Sequence, residues 1–180
     1  LSAYAGLITH GSLADGEKVL IHAGAGGVGV IAIQLAKKIG ATVATTASES
    51  NAEYVRELGA NIVIDYLSTD FTKVVCDYDL VFDTMGGDIH LRSYAVLAPG
   101  GRMTYLNADP IPDEIPRADV TVSNALVSYD SASLERIAEL VDSGAIKPQV
   151  SAVVPLAEAI SAYDLSQSSH VRGKVVLRVR

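Results

Sequence analysis

Four glycines between a continuous apolar run and a helical pattern have the spacing that most clearly indicates chemistry. Residues 24–29 read Gly-Ala-Gly-Gly-Val-Gly and match G-x-G-x-x-G. In such a turn the first glycine allows a tight bend, the second lets backbone approach a phosphate, and the third lets helix and strand pack closely. The segment predicts a site for the pyrophosphate of a dinucleotide, formed by Gly24, Ala25, Gly26, Gly27, Val28 and Gly29. The alternative is a glycine-rich turn that binds no ligand.

The end of the next predicted strand determines which dinucleotide is expected. An NAD enzyme usually carries Asp or Glu there, about 20 residues past the glycines, to hold the ribose hydroxyls. This strand instead ends Thr45-Thr46-Ala47-Ser48, and its short hydroxyls leave room for a 2′-phosphate. Asn51 and the amides of the helix that starts at Ser50 are further candidate donors, so the pattern favours NADP. Two alternatives stay open: Glu49 could bind the ribose, and Ser48 and Asn51 could simply cap a helix.

The histidines and the cysteine predict neither a metal site nor a nucleophile. The four histidines lack metal-ligand spacing, and His22, on a predicted core strand, is expected to be a satisfied structural residue. Cys76 is the only cysteine, so it can form no internal disulfide, and it is expected to be small and buried. Asp83 ends a strand beside the expected cleft, where we expect its carboxylate to cap the amides of the turn at Gly86 and Gly87.

Alternating strand and helix patterns determine where these residues lie. Apolar or alternating runs predict strands, and helical periodicity closed by glycine or proline predicts helices. The predicted strands span residues 18–23, 42–46, 61–64, 79–83, 102–106, 120–123, 150–154 and 173–179. The predicted helices span an opening segment and residues 30–38, 50–58, 88–97, 131–142 and 155–165. The alternation predicts an α/β doubly wound parallel sheet, the Rossmann fold, with helices on both faces.

Two segments of the second half carry more specific expectations. The periodicity of residues 131–142 predicts an amphipathic helix that buries Leu134, Ile137, Ala138 and Val141. Residues 107–117 contain three prolines and are expected to form a loop.

Composition limits the class of protein. The chain has 180 residues, 49% of them hydrophobic, which suits one domain with a sizeable core. A net charge of −7 without a long Lys or Arg run argues against a nucleic-acid partner. Residues 19–36 carry no formal charge, but the glycines in their middle indicate strand, turn and helix instead of a membrane span. We expect a cytoplasmic protein without membrane attachment.

Several motifs in order make the chain similar to the medium-chain dehydrogenase/reductase superfamily, in particular to its zinc-independent quinone oxidoreductase branch. They are Gly16-Glu-Lys-Val-Leu-Ile-His-Ala-Gly-Ala-Gly-Gly-Val-Gly29, Thr46-Ala-Ser48, Glu57-Leu-Gly-Ala60 with Ile64-Asp-Tyr66, Phe82-Asp-Thr-Met-Gly-Gly-Asp88, Leu97-Ala-Pro-Gly-Gly-Arg102, and Arg172-Gly-Lys-Val-Val-Leu177. Any one motif is unspecific. Their order and spacing, over nearly the whole chain, carry the resemblance.

The resemblance implies NADPH as the cofactor and a set of residues that contact it. Ala25 to Val28 would lie on the pyrophosphate, and Ser48 and Tyr66 near the adenosine 2′-phosphate. The residues expected beside the ribose and the nicotinamide, or lining the cleft, are Met85, Gly86, Gly87, Leu106 and Asn107.

The resemblance also implies that the chain is part of a longer oxidoreductase. In that family a separate N-terminal domain supplies the catalytic residues and much of the substrate pocket, so this chain alone is expected to be inactive. We divide it into an NAD(P)-binding Rossmann domain at residues 1–171 and a terminal strand at residues 172–180, which resembles one belonging to the absent domain. Residues 120–123 are expected at a sheet edge, where they would pair with a second copy in a twofold homodimer.

The expected function is therefore NADPH binding within an oxidoreductase that transfers hydride to a quinone or conjugated carbonyl substrate. One alternative is an S-adenosylmethionine-dependent methyltransferase domain, since such enzymes also use a glycine-rich first turn. The complete dinucleotide spacing and the lack of a carboxylate at the second strand end argue against it. The other alternative is a redox-inactive module that senses NADPH. No tyrosine has lysine four residues on, which excludes the chemistry of short-chain dehydrogenases.

Overall fold

A parallel sheet of six strands forms the centre of the molecule. The computed structural model describes residues 1–106, 109–112, 116–167 and 171–180. The strands of this sheet are β1 (Lys18–Ile21), β2 (Thr42–Ala47), β3 (Ile62–Asp65), β4 (Tyr78–Asp83), β5 (Leu97–Tyr105) and β6 (Thr121–Asn124). They lie in the order β3-β2-β1-β4-β5-β6, and every neighbouring pair is parallel. The predicted Rossmann fold is confirmed.

The described residues form six α-helices along the chain. They are α1 (Ser2–Tyr4), α2 (Gly29–Ile39), α3 (Ala52–Glu57), α4 (Gly87–Ser93), α5 (Ser131–Asp142) and α6 (Ala159–Gln167). α1 continues into a π-helical turn at Ala5–Thr9, and a 3₁₀ turn at Glu49–Asn51 precedes α3. α2 ends at Gly40, whose φ of +101° is the left-handed conformation that closes a helix.

Burial on both faces of the central strand explains its continuous apolar sequence. Val19, Leu20 and Ile21 on β1 have no exposed surface. Because side chains alternate along a strand, Val19 and Ile21 pack with Ile33 of α2 in one cluster, while Leu20 packs with Phe71 in a second cluster. The sheet is therefore covered on both faces.

The strand order reverses at β1, and this reversal creates the site. β2 and β3 are added on one side of β1, and the chain then returns to place β4 on its other side. In a doubly wound sheet, ligands bind at such a point, in the crevice beyond the carboxyl ends of the strands. The turns after β1 and β4 flank this crevice.

The helix predicted over residues 88–97 ends earlier than expected. α4 stops at Ser93, a 3₁₀ turn covers Tyr94–Val96, and β5 begins at Leu97, whose side chain is buried. The Arg117 guanidinium explains this end, since it donates to the carbonyl oxygens of Tyr94 (3.1 Å) and Leu97 (2.7 Å). An arginine distant in sequence thus satisfies carbonyls that a longer helix would have bonded internally.

Two predictions about burial are wrong. On α5, Leu134 is 53% exposed and Ala138 is exposed, while Ile137 and Val141 are only half-buried. The α5 residue that packs against the core is Leu140, so the helix contacts the core along one edge and not along its whole apolar face.

Cys76 is exposed, not buried. Val75 before it fills the core position, and Asp77 after it adopts a positive φ of +56°. The chain turns at this point, and the turn leaves the cysteine on the outside.

Two further strands lie apart from the main sheet. β7 (Val150–Pro155) and β8 (Lys174–Arg178) pair in parallel with each other. The terminal segment at residues 172–180 therefore pairs with β7, and the division of the chain at residue 171 stays a prediction.

The predicted loop at residues 107–117 lies partly outside the described residues, and its described part forms neither helix nor strand. None of the described helices has the length and apolar character needed to span a membrane.

We predict that Leu80→Ala lowers the free energy of unfolding by about 2–5 kcal/mol, because it leaves a cavity around a fully buried β4 side chain. Leu67→Ala is the matched control: that leucine is 75% exposed, so its effect should stay below about 0.5 kcal/mol. Urea denaturation followed by circular dichroism measures both. Equal effects of the two substitutions would contradict the central position of β4.

Candidate nucleotide-binding site

The carboxyl edge of the sheet gathers residues that are far apart in sequence. The glycine turn follows β1, the Met85–Gly87 turn follows β4, and Leu106 directly follows β5. Backbone hydrogen bonds tie these segments together. The His22 amide donates to the Phe82 carbonyl oxygen at 3.1 Å, and the Leu106 amide donates to the Asp83 carbonyl oxygen at 2.9 Å. Three of the predicted segments are thus neighbours along one crevice.

Crowding explains the first and last glycines of the turn. A Cβ on Gly24 would lie 2.1 Å from the Thr45 hydroxyl oxygen, and one on Gly29 would lie 2.3 Å from the Ala23 carbonyl oxygen. Neither position has room for a side chain, so α2 can begin this close to β1 and β2 only with glycine at both. These are the roles expected from the G-x-G-x-x-G spacing.

The middle of the turn presents open backbone. A Cβ on Gly26 would contact only the Ala23 carbonyl oxygen, at 3.2 Å. Among the described residues, the backbone N–H groups of Ala25, Gly27 and Val28 have no hydrogen-bond partner, and all three residues are half-buried. They immediately precede α2, whose dipole has its positive end here. The turn fits a phosphate group.

A lysine from the end of the chain lies over the same turn. The Lys174 ammonium nitrogen is 2.6 Å from the position that a Cβ on Gly27 would occupy. The Gly173 amide holds the segment in place by donating to the Ala25 carbonyl oxygen at 3.0 Å. Sequence reasoning missed this contact, because nothing local links the Gly-Lys pair of the terminal strand to residue 27. The ammonium group adds positive charge beside the unpaired amides.

A polar cluster of Ser48, Ser50, Asn51 and Arg172 lies at the end of β2. The Asn51 side-chain amide donates to the Ser48 hydroxyl at 3.1 Å, and the two serine hydroxyl oxygens are 3.1 Å apart. The Arg172 Nε donates to the Asn51 side-chain oxygen at 2.7 Å. Neither Ser48 nor Asn51 makes a side-chain cap hydrogen bond to a helix amide, so the capping alternative is wrong.

Tyr66 lies close to this cluster along the sheet edge. Ala47 pairs with Asp65 across β2 and β3, so Ser48 and Tyr66 leave adjacent strands at the same level. The Tyr66 side chain is 59% exposed, and its ring is therefore accessible to a ligand at the end of β2.

Of the two carboxylates near the end of β2, one is engaged in its own turn. Asp65 accepts hydrogen bonds from the Ser68 hydroxyl (2.6 Å) and the Leu67 amide (3.2 Å). The Ser68 hydrogen bond holds the pKa of Asp65 below its ordinary value. Glu49 is exposed, and the structure leaves it open as an alternative ribose ligand.

The turn after β4 is built around the Asp83 carboxylate. One oxygen accepts from the amides of Met85 (2.8 Å) and Gly86 (3.0 Å), and the other accepts from the His90 ring at 2.8 Å. Burial alone would raise the pKa of Asp83, but the hydrogen bonds from His90 and the two amides outweigh burial and lower it. The predicted capping role of Asp83 is confirmed for Gly86, and the buried His90 is a partner that no sequence signal indicated.

The same turn approaches a neighbouring segment closely. Gly86 has a φ of +78°, and a Cβ there would lie 2.6 Å from the Asp109 carbonyl oxygen. Gly87 also has a positive φ, of +56°, and Met85 beside them is exposed at the sheet edge. The close approach at Gly86 leaves no room for a side chain, so glycine is required there.

His22 lies buried behind the glycine turn. It is 1% exposed, and its ring nitrogens lie 3.3 Å from the Thr46 hydroxyl oxygen and 3.0 Å from the Ser93 hydroxyl oxygen. Burial lowers the pKa of His22 to about 4, although the Asp83 charge opposes this. The imidazole is therefore neutral at pH 7, and its expected structural role is confirmed. Thr46 in turn accepts from the Ala23 amide at 3.0 Å, which links His22 to the turn.

Two further predictions concern Asn107 and metal binding. Asn107, expected to line the cleft, lies outside the described residues. Within the described ranges, no three His, Cys, Asp or Glu side chains come together as a metal site would require. The sequence predicts no metal ligand, and that expectation stays a prediction.

The strand order and the glycine turn at its reversal define a dinucleotide-binding domain of the Rossmann class. Residues 58–177 match the family model described as zinc-binding dehydrogenase. The chain belongs to this family and to the medium-chain dehydrogenase/reductase superfamily, which its sequence motifs resemble.

Two relatives of known activity are similar to this chain. The chloroplastic NADPH-dependent alkenal/one oxidoreductase of Arabidopsis thaliana is 34% identical over 166 residues, covering 90% of this chain and 40% of the relative. The mitochondrial NAD(P)H oxidoreductase RTN4IP1 of Danio rerio is 30% identical over 190 residues, covering 91% of this chain and 49% of the relative. The chain spans about half the length of these relatives or less.

Solved structures share the fold over nearly the whole chain. The quinone oxidoreductase of Coxiella burnetii has a TM-score of 0.88 at 33% identity, covering 99% of this chain and 57% of that protein. An NAD-dependent alcohol dehydrogenase has a TM-score of 0.91 at 29% identity, covering 100% and 56%. A mycobacterial protein in complex with NADPH has a TM-score of 0.85 at 27% identity, covering 99% and 62%. The neighbours thus include one protein described as NAD-dependent and one solved in complex with NADPH.

We predict that proton binding at His22 lowers the free energy of unfolding by about 2 kcal/mol when the pH is lowered from 7 to 5. The pKa of His22 is about 4 in the folded protein and 6.5 in an unfolded chain. Between pH 7 and pH 5 the proton therefore binds mainly to the unfolded state, and the free energy of unfolding decreases as the pH decreases. Below the folded pKa the loss stops growing.

Urea denaturation at both pH values measures this effect. His22→Gln should remove this part of the pH dependence, whatever its stability at pH 7, while the control His10→Gln should retain it. A His22→Gln protein with the wild-type pH dependence would show that His22 is not the titrating group.

Proposed function

We propose that this chain binds NADPH along the carboxyl edge of its sheet, and that the longer protein containing it reduces a quinone or another conjugated carbonyl substrate. The observation that carries the proposal is the glycine turn. Among the described residues, its three unpaired amides lie at the start of α2, at the point where the strand order reverses. A dinucleotide pyrophosphate is the ligand that such a turn accepts in this fold.

Each part of the edge has a proposed role. Ala25, Gly27 and Val28 donate their amides to the pyrophosphate, and Lys174 adds its charge. Gly26 leaves room for the phosphate to approach. Ser48 lies at the end of β2, where it faces the adenosine ribose and its 2′-phosphate.

The opposite half of the crevice holds the nicotinamide end. The Met85–Gly87 turn lies beside the ribose and the ring, and Leu106 supplies an apolar wall. When bound, NADPH supplies the hydride, and the contribution of this chain is to hold and orient the cofactor. The asymmetry between a basic, hydroxyl-rich half and an apolar half matches the two ends of NADPH.

NADPH is proposed over NADH because no carboxylate ends β2. Ser48 lies there, and the nearby Asp65 is engaged by Ser68 and Leu67. A 2′-phosphate meets hydroxyls at this position instead of a negative charge. If Glu49 binds the ribose instead, NADH is the preferred partner.

The substrate class comes from the relatives. The alkenal/one oxidoreductase of Arabidopsis and the quinone oxidoreductase of Coxiella support a conjugated carbonyl as hydride acceptor. We place the catalytic residues and the substrate pocket in the part of the protein outside this chain. The relatives named above are oxidoreductases, so nothing beyond the glycine turn favours a methyltransferase.

Assembly and location are further proposals. β6 is one of the two edge strands of the six-stranded sheet, and pairing with the same strand of a second copy would give a twofold homodimer. Light scattering tests this: a doubled mass supports the pairing, and a monomer at high concentration contradicts it. A cytoplasmic location stays a prediction from the sequence, since the two relatives carry organelle names.

We predict that Gly26→Ala lowers NADPH affinity at least about tenfold, because the added methyl group occupies the path of the phosphate. The fold should persist, since the new Cβ would contact only the Ala23 carbonyl oxygen at 3.2 Å. Gly16→Ala is the control: its φ of +81° makes alanine costly by about 1 kcal/mol, but it precedes β1 at the opposite edge of the sheet. Fluorescence titration should show a loss of binding in the first variant alone.

The same pair of variants tests the reaction in the longer protein. At an NADPH concentration near the wild-type dissociation constant, wild type and Gly16→Ala should oxidise NADPH when a quinone or an enone is supplied, and Gly26→Ala should do so several-fold more slowly. NADPH binding without turnover on any such acceptor would support a sensing module instead. Unchanged NADPH affinity in Gly26→Ala would contradict the assigned site.

A further inference from the structure

We propose that Arg172 is the residue that recognises the 2′-phosphate of NADPH and so makes the site selective for NADPH over NADH. The proposal rests on the proposed function, because it concerns one subsite of the same cofactor. It adds a basic residue that lies 121 positions from its Asn51 partner and has no signal in the local sequence.

Three contacts fix the plane of the guanidinium group. Its Nε donates to the Asn51 side-chain oxygen at 2.7 Å, and its Nη2 donates to the Ser50 carbonyl oxygen at 2.8 Å. Its central carbon lies 5.1 Å from the centre of the Tyr54 ring, in a cation–π arrangement. An exposed arginine is seldom held so firmly, because restraining a long side chain costs entropy.

The fixed orientation leaves donors free at the end of β2. Within the described part of the chain, Nη1 and the second N–H of Nη2 have no partner, and the side chain is exposed. The hydroxyls of Ser48 and Ser50 belong to the same hydrogen-bonded cluster. A planar fork of N–H donors beside hydroxyls suits a phosphate, which arginine binds through two parallel hydrogen bonds.

The charge of Arg172 is also not neutralised. Among the described residues it forms no ion pair with a carboxylate. Arg56, the nearest cation in the sequence of this region, pairs with Glu53 on α3 at 4.0 Å. Arg172 is thus the cation that the cluster itself holds, and no carboxylate of the described residues pairs with it.

The position matches the length of the ligand. The Gly173 amide binds the Ala25 carbonyl oxygen, and Lys174 follows over Gly27. One short segment therefore brings Lys174 to the pyrophosphate turn and Arg172 to the end of β2. In this fold those points correspond to the two anionic groups of the adenosine half of NADPH, and an arginine near the strand end accommodates the 2′-phosphate.

The experiment measures four dissociation constants by calorimetry: those of NADPH, NADH, adenosine 2′,5′-bisphosphate and adenosine 5′-monophosphate. Wild type should bind each 2′-phosphorylated ligand at least about tenfold more tightly than its counterpart. Arg172→Gln should lower affinity for the phosphorylated pair about ten- to a hundredfold and leave the other pair within about twofold. Arg172→Lys should recover part of the preference.

Arg178→Gln is the matched control, since Arg178 is an exposed arginine on β8 and should leave all four constants unchanged. An equal loss of NADPH and NADH affinity in Arg172→Gln would show that Arg172 only stabilises the packing of the segment before β8 against α3. That result would overturn the proposal. Wild type without preference for the 2′-phosphate would overturn it while dinucleotide binding stands. Binding of neither dinucleotide would overturn both this proposal and the proposed function.

Discussion

Helix α2 begins in direct contact with the ends of β1 and β2, and the whole carboxyl edge of the sheet depends on this contact. It excludes side chains at Gly24 and Gly29, where a Cβ would lie 2.1 Å and 2.3 Å from neighbouring oxygens. In the turn that precedes the helix, the amides of Ala25, Gly27 and Val28 have no hydrogen-bond partner among the described residues. The result is a concentrated set of donors at a positive helix end, which in an aqueous crevice attracts an anion.

Buried polar groups hold the turns on either side of this contact. Asp83 accepts from two amides and from His90, and His22 connects Thr46 of β2 with Ser93 of α4. A buried donor or acceptor left unpaired costs about 1–3 kcal/mol, so these side chains fix the turns after β1 and β4 in one arrangement. The crevice is therefore preformed by interactions beneath it, and the groups at its surface remain available to a ligand.

The sequence predicts the sheet well because the signals for it are local. Apolar runs such as Val19–Ile21 and helix ends such as Gly40 depend on a few neighbouring residues, and the glycine spacing itself marks the first turn. The Asp83 cap was predictable for the same reason, since the amide of Gly86 lies three residues away. Local chemistry of this kind can be read without knowing the fold.

What the sequence does not predict depends on distant contacts. Arg172 and Lys174 reach the site only because the chain passes the glycine turn as it enters β8. Arg117, which lies between β5 and β6, binds a carbonyl oxygen just after α4 and so limits the length of that helix. The exposure of Leu134 has a similar origin: periodicity shows which helix face is apolar but not whether a neighbour covers it. Sequence reasoning therefore placed the expected 2′-phosphate subsite at Ser48, Asn51 and Tyr66 but missed Arg172, the cation that we propose for it.

The most direct test of the nucleotide site is a calorimetric titration of the 180-residue chain with NADPH and, in parallel, with S-adenosylmethionine. We predict saturable binding of NADPH at one site per chain and no binding of S-adenosylmethionine. Binding of S-adenosylmethionine, or of neither compound, would contradict the assignment of the glycine turn to a nicotinamide dinucleotide.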